Sequence, residues 1–373
     1  MRIAQVAPLV ESVPPKLYGG TERVVSWLTE ELVALGHEVT LFASGDSVTS
    51  AFLVPGCRRA LRLDSADDLL VSYAALLEMV SRMASDFDII HCHTEWLHLP
   101  LLRRTGIPFV TTLHGRLDLP GLGSAIDSFR TTPFVSVSDS QRTPRSDLNW
   151  VGTVHHGIPP DLLQPCFAPH DYLAFLGRVA PEKGPETAIR WAKAGGRSLR
   201  IAAKVPRGEK RYFDTRIAPL LGNDVTFLGE VGEQEKQSFL GNAAALLFPI
   251  DWPEPFGLVM IEAMACGTPV IATRHGAVSE IIADGINGLL VDSEQEALAA
   301  ISRVAALDRR RVRDEFERRF TARRMTNDYV AIYQELAAAH ARAWSGLISD
   351  ATCAPAVIPR DTPPPPRAAV DPK

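Results

Sequence analysis

Cysteine is scarce in this sequence of 373 residues, and its five cysteines are scattered without any CxxC pair. That pattern argues against a disulfide framework and against a zinc knuckle. No stretch reaches 18 consecutive apolar residues, so no membrane-spanning helix is expected. The first residues, MRIAQVAPLV, lack the charged start, the longer apolar segment and the cleavage site of a signal peptide. We therefore expect a soluble, cytoplasmic protein.

An excess of positive charge is also missing, since 39 Lys and Arg face 44 Asp and Glu, for a net charge of −5. Domains that bind nucleic acid are usually strongly basic, so no nucleic-acid partner is expected. The surplus of acidic residues falls in residues 1–165. An acidic surface is poorly suited to anionic lipids, which leaves at most a peripheral contact with membranes.

Strand and helix patterns alternate along the chain and indicate an α/β architecture. An apolar strand at 2–7 leads through a glycine-rich turn to a helix at 22–35 and a strand at 38–43. This is the repeating unit of a parallel, doubly wound sheet. The alternation restarts at 172–176, after a proline-rich stretch at 159–169. A chain of this length also suits two domains of roughly 150 residues each.

The predicted divisions follow from these breaks. Residues 1–165 form an N-terminal Rossmann-like domain, residues 170–325 a C-terminal one, and residues 326–348 a helix that crosses back to the first. The last residues, 350–373, include seven prolines and are predicted to be disordered. The charge run RRRVRDEFERRF within 294–345 is predicted to be a solvated helix face.

The strongest local signal is EPFGLVMIE, in which Glu254 and Glu262 flank the start of a predicted helix. The helix N-terminus offers the backbone N–H groups of Phe256, Gly257 and Leu258 to an anion. Carboxylates accept hydrogen bonds from the hydroxyls of sugars and ribose. Glu262 begins an apolar segment and needs a partner there. The alternative is structural, with Glu254 as a loop cap and Glu262 in solvent.

Two cations, Arg178 and Lys183, lie five residues apart in GRVAPEKG, between a predicted strand and a predicted helix. Such a pair can converge on a diphosphate, with a planar fork from Arg and a point charge from Lys. Two surface charges on a turn are the alternative. Gly19 and Gly20 would let the backbone approach a phosphate without a Cβ, although a plain turn explains them equally well.

Three histidines, His91, His93 and His114, stand at the ends of predicted strands, where open α/β sheets hold their ligands. No carboxylate-rich spacing accompanies them, so no metal site is expected. A structural role is the favoured interpretation for His91 and His93. His114 differs because a glycine follows it, in the apparently exposed loop LHGRLDLPG.

The chain resembles glycosyltransferase family 4, whose members are retaining, nucleotide-sugar-dependent enzymes with the GT-B fold. The resemblance is carried, in the family's order, by YGGTERVV, IIHCHT, TTLHG, FLGRVAPEKG, EPFGLVMIEAMACGTPVIAT and GINGLLV, over about residues 1–300. It implies two Rossmann-like, doubly wound α/β domains facing a central cleft, with the donor on the C-terminal domain. It also implies that no metal or other cofactor is needed. The N-terminal segment further resembles bacterial UDP-glucose:tetrahydrobiopterin glucosyltransferases.

The resemblance implies roles for the matching residues. Glu254 would contact hydroxyls of the donor sugar, and Glu262 would hold the ribose. Arg178 and Lys183 would neutralise the leaving diphosphate, and His114 would lie beside the donor sugar, so that the catalytic set is His114, Glu254, Arg178 and Lys183. The remaining donor contacts would come from Gly19, Gly20, Phe256, Gly257 and Leu258. Candidate acceptor contacts are Glu95, Trp96, Arg116 and Asp118.

The expected activity is transfer of a hexose, with UDP-glucose as the leading donor, to a small-molecule, lipid-linked or glycan acceptor. The acceptor hydroxyl would attack from the face of the leaving group, and a phosphate oxygen would take its proton. Two alternatives stay open. A GT-B nucleotide-sugar epimerase would share the donor chemistry and lack an acceptor. A non-catalytic, two-domain sugar-binding protein is disfavoured by the paired cations and carboxylates and by the missing signal peptide.

Overall fold

The computed structural model of the protein describes residues 1–16, 19–62, 68–119 and 121–351. Its strands are β1 (Arg2–Val6), β2 (Glu38–Ser44), β3 (Phe52–Cys57), β4 (Ile89–Cys92), β5 (Phe109–Thr112), β6 (Phe134–Ser136), β7 (Trp150–Thr153), β8 (Tyr172–Arg178), β9 (Ser198–Lys204), β10 (Val225–Gly229), β11 (Ala245–Phe248), β12 (Val270–Thr273) and β13 (Gly288–Val291). Its helices are α1 (Gly20–Ala34), α2 (Leu69–Arg82), α3 (Leu99–Leu102), α4 (Leu122–Ile126), α5 (Asp139–Arg142), α6 (Pro185–Ala194), α7 (Lys210–Tyr212), α8 (Glu233–Gly241), α9 (Leu258–Ala265), α10 (Val278–Ile281), α11 (Glu294–Arg303), α12 (Arg309–Arg319) and α13 (Ala322–Ala351).

These strands form two parallel sheets. The first has the order β3-β2-β1-β4-β5-β6-β7, and the second has the order β10-β9-β8-β11-β12-β13. In each sheet the chain builds one side outward from a central strand and then returns to build the other. The order reverses between β1 and β4 and between β8 and β11, and open α/β sheets hold ligands beyond the strand ends at such points. The two doubly wound sheets confirm the predicted α/β fold class.

Apolar helix faces fix the sheets and hence the strand ends that carry the site. Val24 and Leu28 of α1 are fully buried in one core cluster with Ile3 of β1. In the second sheet, Ile189 of α6 packs in a cluster with Phe175 of β8. Burying one such side chain contributes roughly 2 kcal/mol, so each face is worth several.

Helix α13 follows the second sheet in the chain but packs against the first. Arg323 pairs with Glu31 of α1 at 2.6 Å. Tyr333 is fully buried and contacts Gln5 of β1 and His91 of β4. The helix predicted at 326–348 lies within α13, and residues 352–373 of the predicted tail lie outside the described residues. Although α13 has 30 residues, none of the described helices combines the length and apolarity needed to cross a membrane.

Strand β3 is missing from the sequence prediction. It contains Pro55 and Gly56, which usually mark turns, and its residues are half-buried or exposed. The strand lies at the edge of the first sheet, where one side of its backbone has no neighbouring strand. Proline is tolerated at such an edge because no ladder hydrogen bond is needed there.

The prediction of a solvated charge run is wrong for two of its arginines. Arg309 and Arg313 of α12 are only 9% and 8% exposed. Both donate to backbone carbonyls, Arg309 to Cys166 O at 2.6 Å and Arg313 to Ala265 O at 2.6 Å. The planar guanidinium satisfies several carbonyls at once, which makes a buried arginine tolerable.

Candidate active site

A cleft of about 800 Å³ lies between the two sheets. It is lined by every residue predicted for the donor and the chemistry: Gly19, Gly20, His114, Arg178, Lys183, Glu254, Phe256, Gly257, Leu258 and Glu262. Of the four candidate acceptor contacts, only Arg116 lines it. Residues that are far apart in the sequence thus meet on facing walls of one cavity.

The two walls come close together where α1 and α9 begin. A Cβ built on Gly20 would lie 3.6 Å from Leu258 Cδ1. On Gly19 it would lie 2.7 Å from Pro15 Cβ, so a side chain would collide with the preceding loop. Glycine at these two positions lets the backbone of the first sheet's loop border the cleft directly.

Helix α9 begins at the cleft because Gly257 adopts a left-handed conformation. Its φ is 88°, and a Cβ there would meet Met260 Cε at 2.7 Å and Phe248 Cζ at 3.2 Å. A side chain at this position is therefore excluded twice, by backbone conformation and by packing. The backbone N–H groups of the first turn of α9 have no intrahelical partners and present partial positive charge to the cleft.

Lys183 and Glu254 form an ion pair on the wall of the second sheet. Lys183 Nζ lies 2.5 Å from Glu254 Oε2, and Trp252 Nε1 donates to the same oxygen at 2.8 Å. Lys183 Nζ also lies 4.2 Å from the centroid of the Trp252 ring, as a cation–π contact does. The ammonium is thereby held in place beside the start of α9.

Arg178 stands at the carboxyl end of β8 on the same wall. Its Nη2 donates to Glu182 Oε1 at 2.7 Å. Its Nε is buried and has no hydrogen-bond partner among the described residues. A buried N–H donor without a partner is costly, and an anionic ligand oxygen would satisfy it.

Glu262 is 4% exposed and has the partner that its apolar surroundings require. Lys236 Nζ of α8 lies 2.7 Å from Glu262 Oε1 and 3.6 Å from Glu233 Oε1. Glu233 also pairs with Arg23 of α1, across the cleft. The second oxygen of Glu262 carries further acceptor capacity for a ligand hydroxyl.

His114 follows β5 and is neutral in this environment. Burial lowers the pKa of His114 to about 3. Its ring stacks on that of His156, with centroids 5.3 Å apart and planes inclined by 18°. Burial also lowers the pKa of His156 well below its usual value, so two uncharged imidazoles meet at the cleft.

The loop that carries His114 is held by side chains on both sides of the domain junction. Gln141 of α5 donates through Nε2 to Leu113 O at 2.8 Å and to Gly115 O at 2.7 Å. Glu280 of α10 accepts from the backbone N–H groups of residues 139 and 140 at 2.8 and 2.7 Å. A carboxylate of the second sheet's half thus caps the helix that grips the His114 loop.

The other three candidate acceptor contacts do not line the cleft. Glu95 accepts hydrogen bonds from the backbone of His114 and Gly115, and its own φ is 53°. Asp118 forms a two-pronged pair with Arg116, at 2.8 and 2.6 Å. Trp96 is 38% exposed. In this structure Glu95 supports the histidine loop, and Asp118 orients the arginine that does line the cleft.

We expect Glu95→Gln to flatten the pH dependence of stability. Burial raises the pKa of Glu95 to about 7, above the value of about 4.3 in an unfolded chain. The folded state then binds the proton more tightly, so this group lowers the free energy of unfolding as pH rises through that interval. Between pH 5 and pH 8, the free energy of unfolding measured with urea should fall by about 2 kcal/mol less in Glu95→Gln than in wild type.

The matched control for that measurement is Glu78→Gln, which makes the same change on the exposed face of α2. Its pH dependence should follow wild type. If the free energy of unfolding depends on pH equally in wild type and Glu95→Gln, the raised pKa of Glu95 is contradicted.

Several residues that line the cleft were not predicted from the sequence, and three of them contact the predicted set. Trp252 and His156 line the cleft, and Lys236 neutralises Glu262. Trp252 could have been found from its position, because it is an aromatic residue only two positions before Glu254. Lys236 lies in an ordinary amphipathic helix and carries no local signal. Within the described ranges, no three His, Cys, Asp or Glu side chains cluster as metal ligands would.

Two family models match the chain. "Glycosyltransferase Family 4" covers residues 18–151, and "Glycosyl transferases group 1" covers residues 168–321. The D-inositol 3-phosphate glycosyltransferase of Arthrobacter sp. (strain FB24) is 26% identical over 337 residues, 75% of this chain and 79% of the relative. These matches are to transferases and lend no support to the epimerase or the non-catalytic binding protein.

Solved structures show the same architecture. AviGT4, a glycosyltransferase involved in avilamycin A biosynthesis, is 26% identical, with a TM-score of 0.69 over 90% of this chain and 98% of its own. Anabaena Alr3699/HepE, solved in complex with UDP-glucose, is 19% identical, with a TM-score of 0.67 over 92% of this chain and 100% of its own. Each of these structures matches at least 90% of this chain.

Proposed function

The chain belongs to the family 4 glycosyltransferases of the GT-B fold, and on that premise we propose that it moves a hexose from a nucleoside-diphosphate sugar to an acceptor hydroxyl. Transfer proceeds with retention of configuration and without a metal ion. One observation carries the proposal. Two cations, a helix N-terminus and two carboxylates converge on one cleft between the sheets.

The wall of the second sheet suits a nucleoside diphosphate. Arg178, Lys183 and the start of α9 supply positive charge where the leaving diphosphate gains negative charge. Glu262, neutralised by Lys236, accepts from the ribose hydroxyls. Neutralisation by side chains and backbone dipoles is what supports a reaction without metal.

Glu254 is better suited to binding than to nucleophilic attack. Its Oε2 already accepts from Lys183 and Trp252, which lowers its nucleophilicity and fixes its direction. The bond between the sugar C1 and the diphosphate oxygen breaks, and the acceptor oxygen bonds to C1 on the same face. The acceptor proton passes to a phosphate oxygen of the leaving group. No covalent enzyme intermediate is required.

UDP-glucose is the donor to test first, and the acceptor side rests on the named relative. The Arthrobacter protein's name gives D-inositol 3-phosphate as its acceptor. A polyol phosphate of that kind is therefore the first acceptor to test here. Arg116, which lines the cleft on the first sheet's side, offers a guanidinium near such a ligand.

A thermal-shift panel tests the donor. We expect one of UDP-glucose, UDP-galactose, UDP-GlcNAc, GDP-mannose and ADP-glucose to raise Tm by several degrees, because a ligand that binds only the native state stabilises it. The shift should be the same with EDTA and with magnesium. It should shrink in Arg178→Ala and persist in Arg318→Ala, a control at an exposed arginine of α12. A shift abolished by EDTA would contradict the metal-free proposal.

Product analysis tests the chemistry. With the donor from the panel and an inositol phosphate or a glycan acceptor, NMR of the product gives its anomeric configuration. A product with the donor's configuration supports retention, and an inverted product overturns it. A donor converted to its epimer without acceptor would overturn the transferase proposal.

A further inference from the structure

A buried chain of hydrogen bonds connects His114 to helix α13. His114 Nε2 lies 2.9 Å from His93 Nδ1, and His93 Nε2 lies 3.0 Å from Gln5 Oε1. Gln5 Nε2 donates to Tyr333 Oη at 3.1 Å. The chain therefore runs from the cleft, through strands β4 and β1, to a tyrosine near the C-terminal end of the fold.

The chain continues beyond Tyr333. Its hydroxyl lies 2.6 Å from His91 Nδ1, and His91 Nε2 lies 2.7 Å from Thr112 Oγ1. Thr112 reaches the hydroxyl of Tyr329 at 3.0 Å. Gln5, His91 and both tyrosines are 0% exposed, so bulk solvent does not compete for these bonds. The motif IIHCHT thus supplies two imidazoles to one continuous network.

The imidazoles of the chain are neutral, which gives each ring one donor and one acceptor. Burial lowers the pKa of both His91 and His93 well below the usual value. In a chain of neutral rings, the proton position on one ring dictates the position on the next. The hydrogen bonds of the network therefore all run in one direction, and one member with a fixed donor and acceptor determines the proton positions on the rings.

Gln5 is that fixed member. Its Nε2 faces Tyr333, so its Oε1, which can only accept, faces His93. His93 must carry its proton on Nε2 and accept through Nδ1. The proton between the two rings then belongs to His114 Nε2, which leaves Nδ1 of His114 as an acceptor with a free lone pair.

Tyr333 receives the amide N–H of Gln5 in this orientation. Its oxygen accepts from Gln5 Nε2, and His91 Nδ1 lies 2.6 Å away, where it can accept the hydroxyl proton. Without that oxygen, Gln5 Nε2 loses its acceptor and the amide is free to turn over. A turned amide would donate to His93, and the proton pattern would reverse as far as His114 Nδ1.

We propose that Gln5, His93 and Tyr333 are positioning residues that fix the tautomer of His114, with the proton on Nε2 and the lone pair on Nδ1. The inference rests on the proposed function, in which His114 lies beside the donor sugar. Nδ1 then accepts a hydrogen bond from a hydroxyl of the substrates. The opposite tautomer would present a donor to that hydroxyl and would lose the interaction.

Two tyrosine variants of α13 provide a matched test. Tyr333→Phe and Tyr329→Phe each remove one fully buried hydroxyl from the same helix, and only the first contacts Gln5. Long-range ¹H–¹⁵N correlation spectra of the imidazoles report which nitrogen of His114 carries the proton. Thermal unfolding of both variants checks that they are folded at the assay temperature.

Wild type should show the proton on His114 Nε2. Tyr333→Phe should show a mixture of tautomers, and kcat should fall about tenfold, the usual effect of removing a partner that orients a functional side chain. Tyr329→Phe should keep both the tautomer and kcat of wild type. His98→Gln is a further control, because His98 is equally buried but, among the described residues, forms side-chain hydrogen bonds only with Thr94 and Thr111, outside the chain.

The spectra test this proposal independently of the proposed function, because they report the tautomer of His114 without an activity assay. Absence of sugar transfer by wild type would overturn the function, while the tautomer of His114 would still be read directly. A proton on Nδ1 in wild type, or an unchanged tautomer in Tyr333→Phe, would overturn the proposal. In an active enzyme, a changed tautomer with unchanged kcat would overturn it too.

Discussion

Replacing Lys183 with methionine is expected to lower kcat by about 100-fold, with a smaller effect on donor binding. The half-buried ammonium, 17% exposed, lies beside the start of α9, where the proposed function places the departing diphosphate. Charge stabilisation that grows during bond breaking acts on kcat more than on KM. Steady-state kinetics with the donor identified by thermal shift would measure both constants.

Loss of the ion pair with Glu254 is a second possible cause of a lower kcat in Lys183→Met, and it must be tested separately. Glu254 is 9% exposed, and Lys183→Met leaves its carboxylate with the hydrogen bond from Trp252 Nε1 but without a cation. The double variant Lys183→Met/Glu254→Gln removes that uncompensated charge. If the lysine acts on the diphosphate, the double variant is no faster than the single one. Recovery towards wild type would show that the defect arises from the orphaned carboxylate.

A surface lysine supplies the control for charge alone. Lys210 pairs with Asp214 on an exposed helical turn of the same half of the protein. Lys210→Met changes net charge by the same amount and should leave kcat unchanged. A similar loss in both variants would place the effect in the overall charge of the protein and contradict a role at the cleft.

The starts of helices α6 and α9 could be predicted from the sequence because strong local signals stand beside them. Pro185 occupies the first position of α6, directly after Gly184, whose φ is 70°. Gly257 precedes α9, and Gly267 follows it within two residues. Proline at a helix start and glycine at either end act through the backbone alone. Such boundaries are independent of the rest of the fold.

The buried arginines of α12 could not be predicted in this way. Arg309 and Arg313 sit in the same run of charges as exposed neighbours such as Arg311 and Arg318. What distinguishes them is a set of backbone carbonyls from three remote segments of the chain. No side-chain pattern marks a carbonyl that lacks a partner, so the signal exists only in the folded structure.

The candidate site also contains both residues that could be predicted from the sequence and residues that could not. Glu254, Gly257 and Glu262 were predictable because they fall within one short motif around a helix start. Their partners were not, since Lys183 lies 71 residues from Glu254 and Lys236 lies 26 residues from Glu262. The sequence predicted that Glu262 needs a partner, but only the packing of α8 on α9 could identify it.

Arg309→Met is expected to lower the free energy of unfolding by about 4 kcal/mol, as loss of one member of a buried, charge-assisted network does. Its guanidinium donates to the carbonyl oxygens of Cys166, Gly241 and Ala243 at 2.6, 2.8 and 2.9 Å. It also donates to Thr268 Oγ1 at 2.7 Å. Methionine fills much of the same volume but removes the donor from all four acceptors. Urea unfolding monitored by circular dichroism would measure the loss.

Two further variants decide whether the donors or the charge matter. Arg311→Met, at an exposed position of the same helix, removes the same charge and should cost well under 1 kcal/mol. Arg309→Lys keeps the charge, but an ammonium cannot span carbonyls from separate segments as the planar fork does. It should therefore recover only part of the loss. Full recovery by lysine would show that the site needs a charge and not a fork, whereas equal costs for Arg309→Met and Arg311→Met would mean that the four hydrogen bonds add nothing to stability.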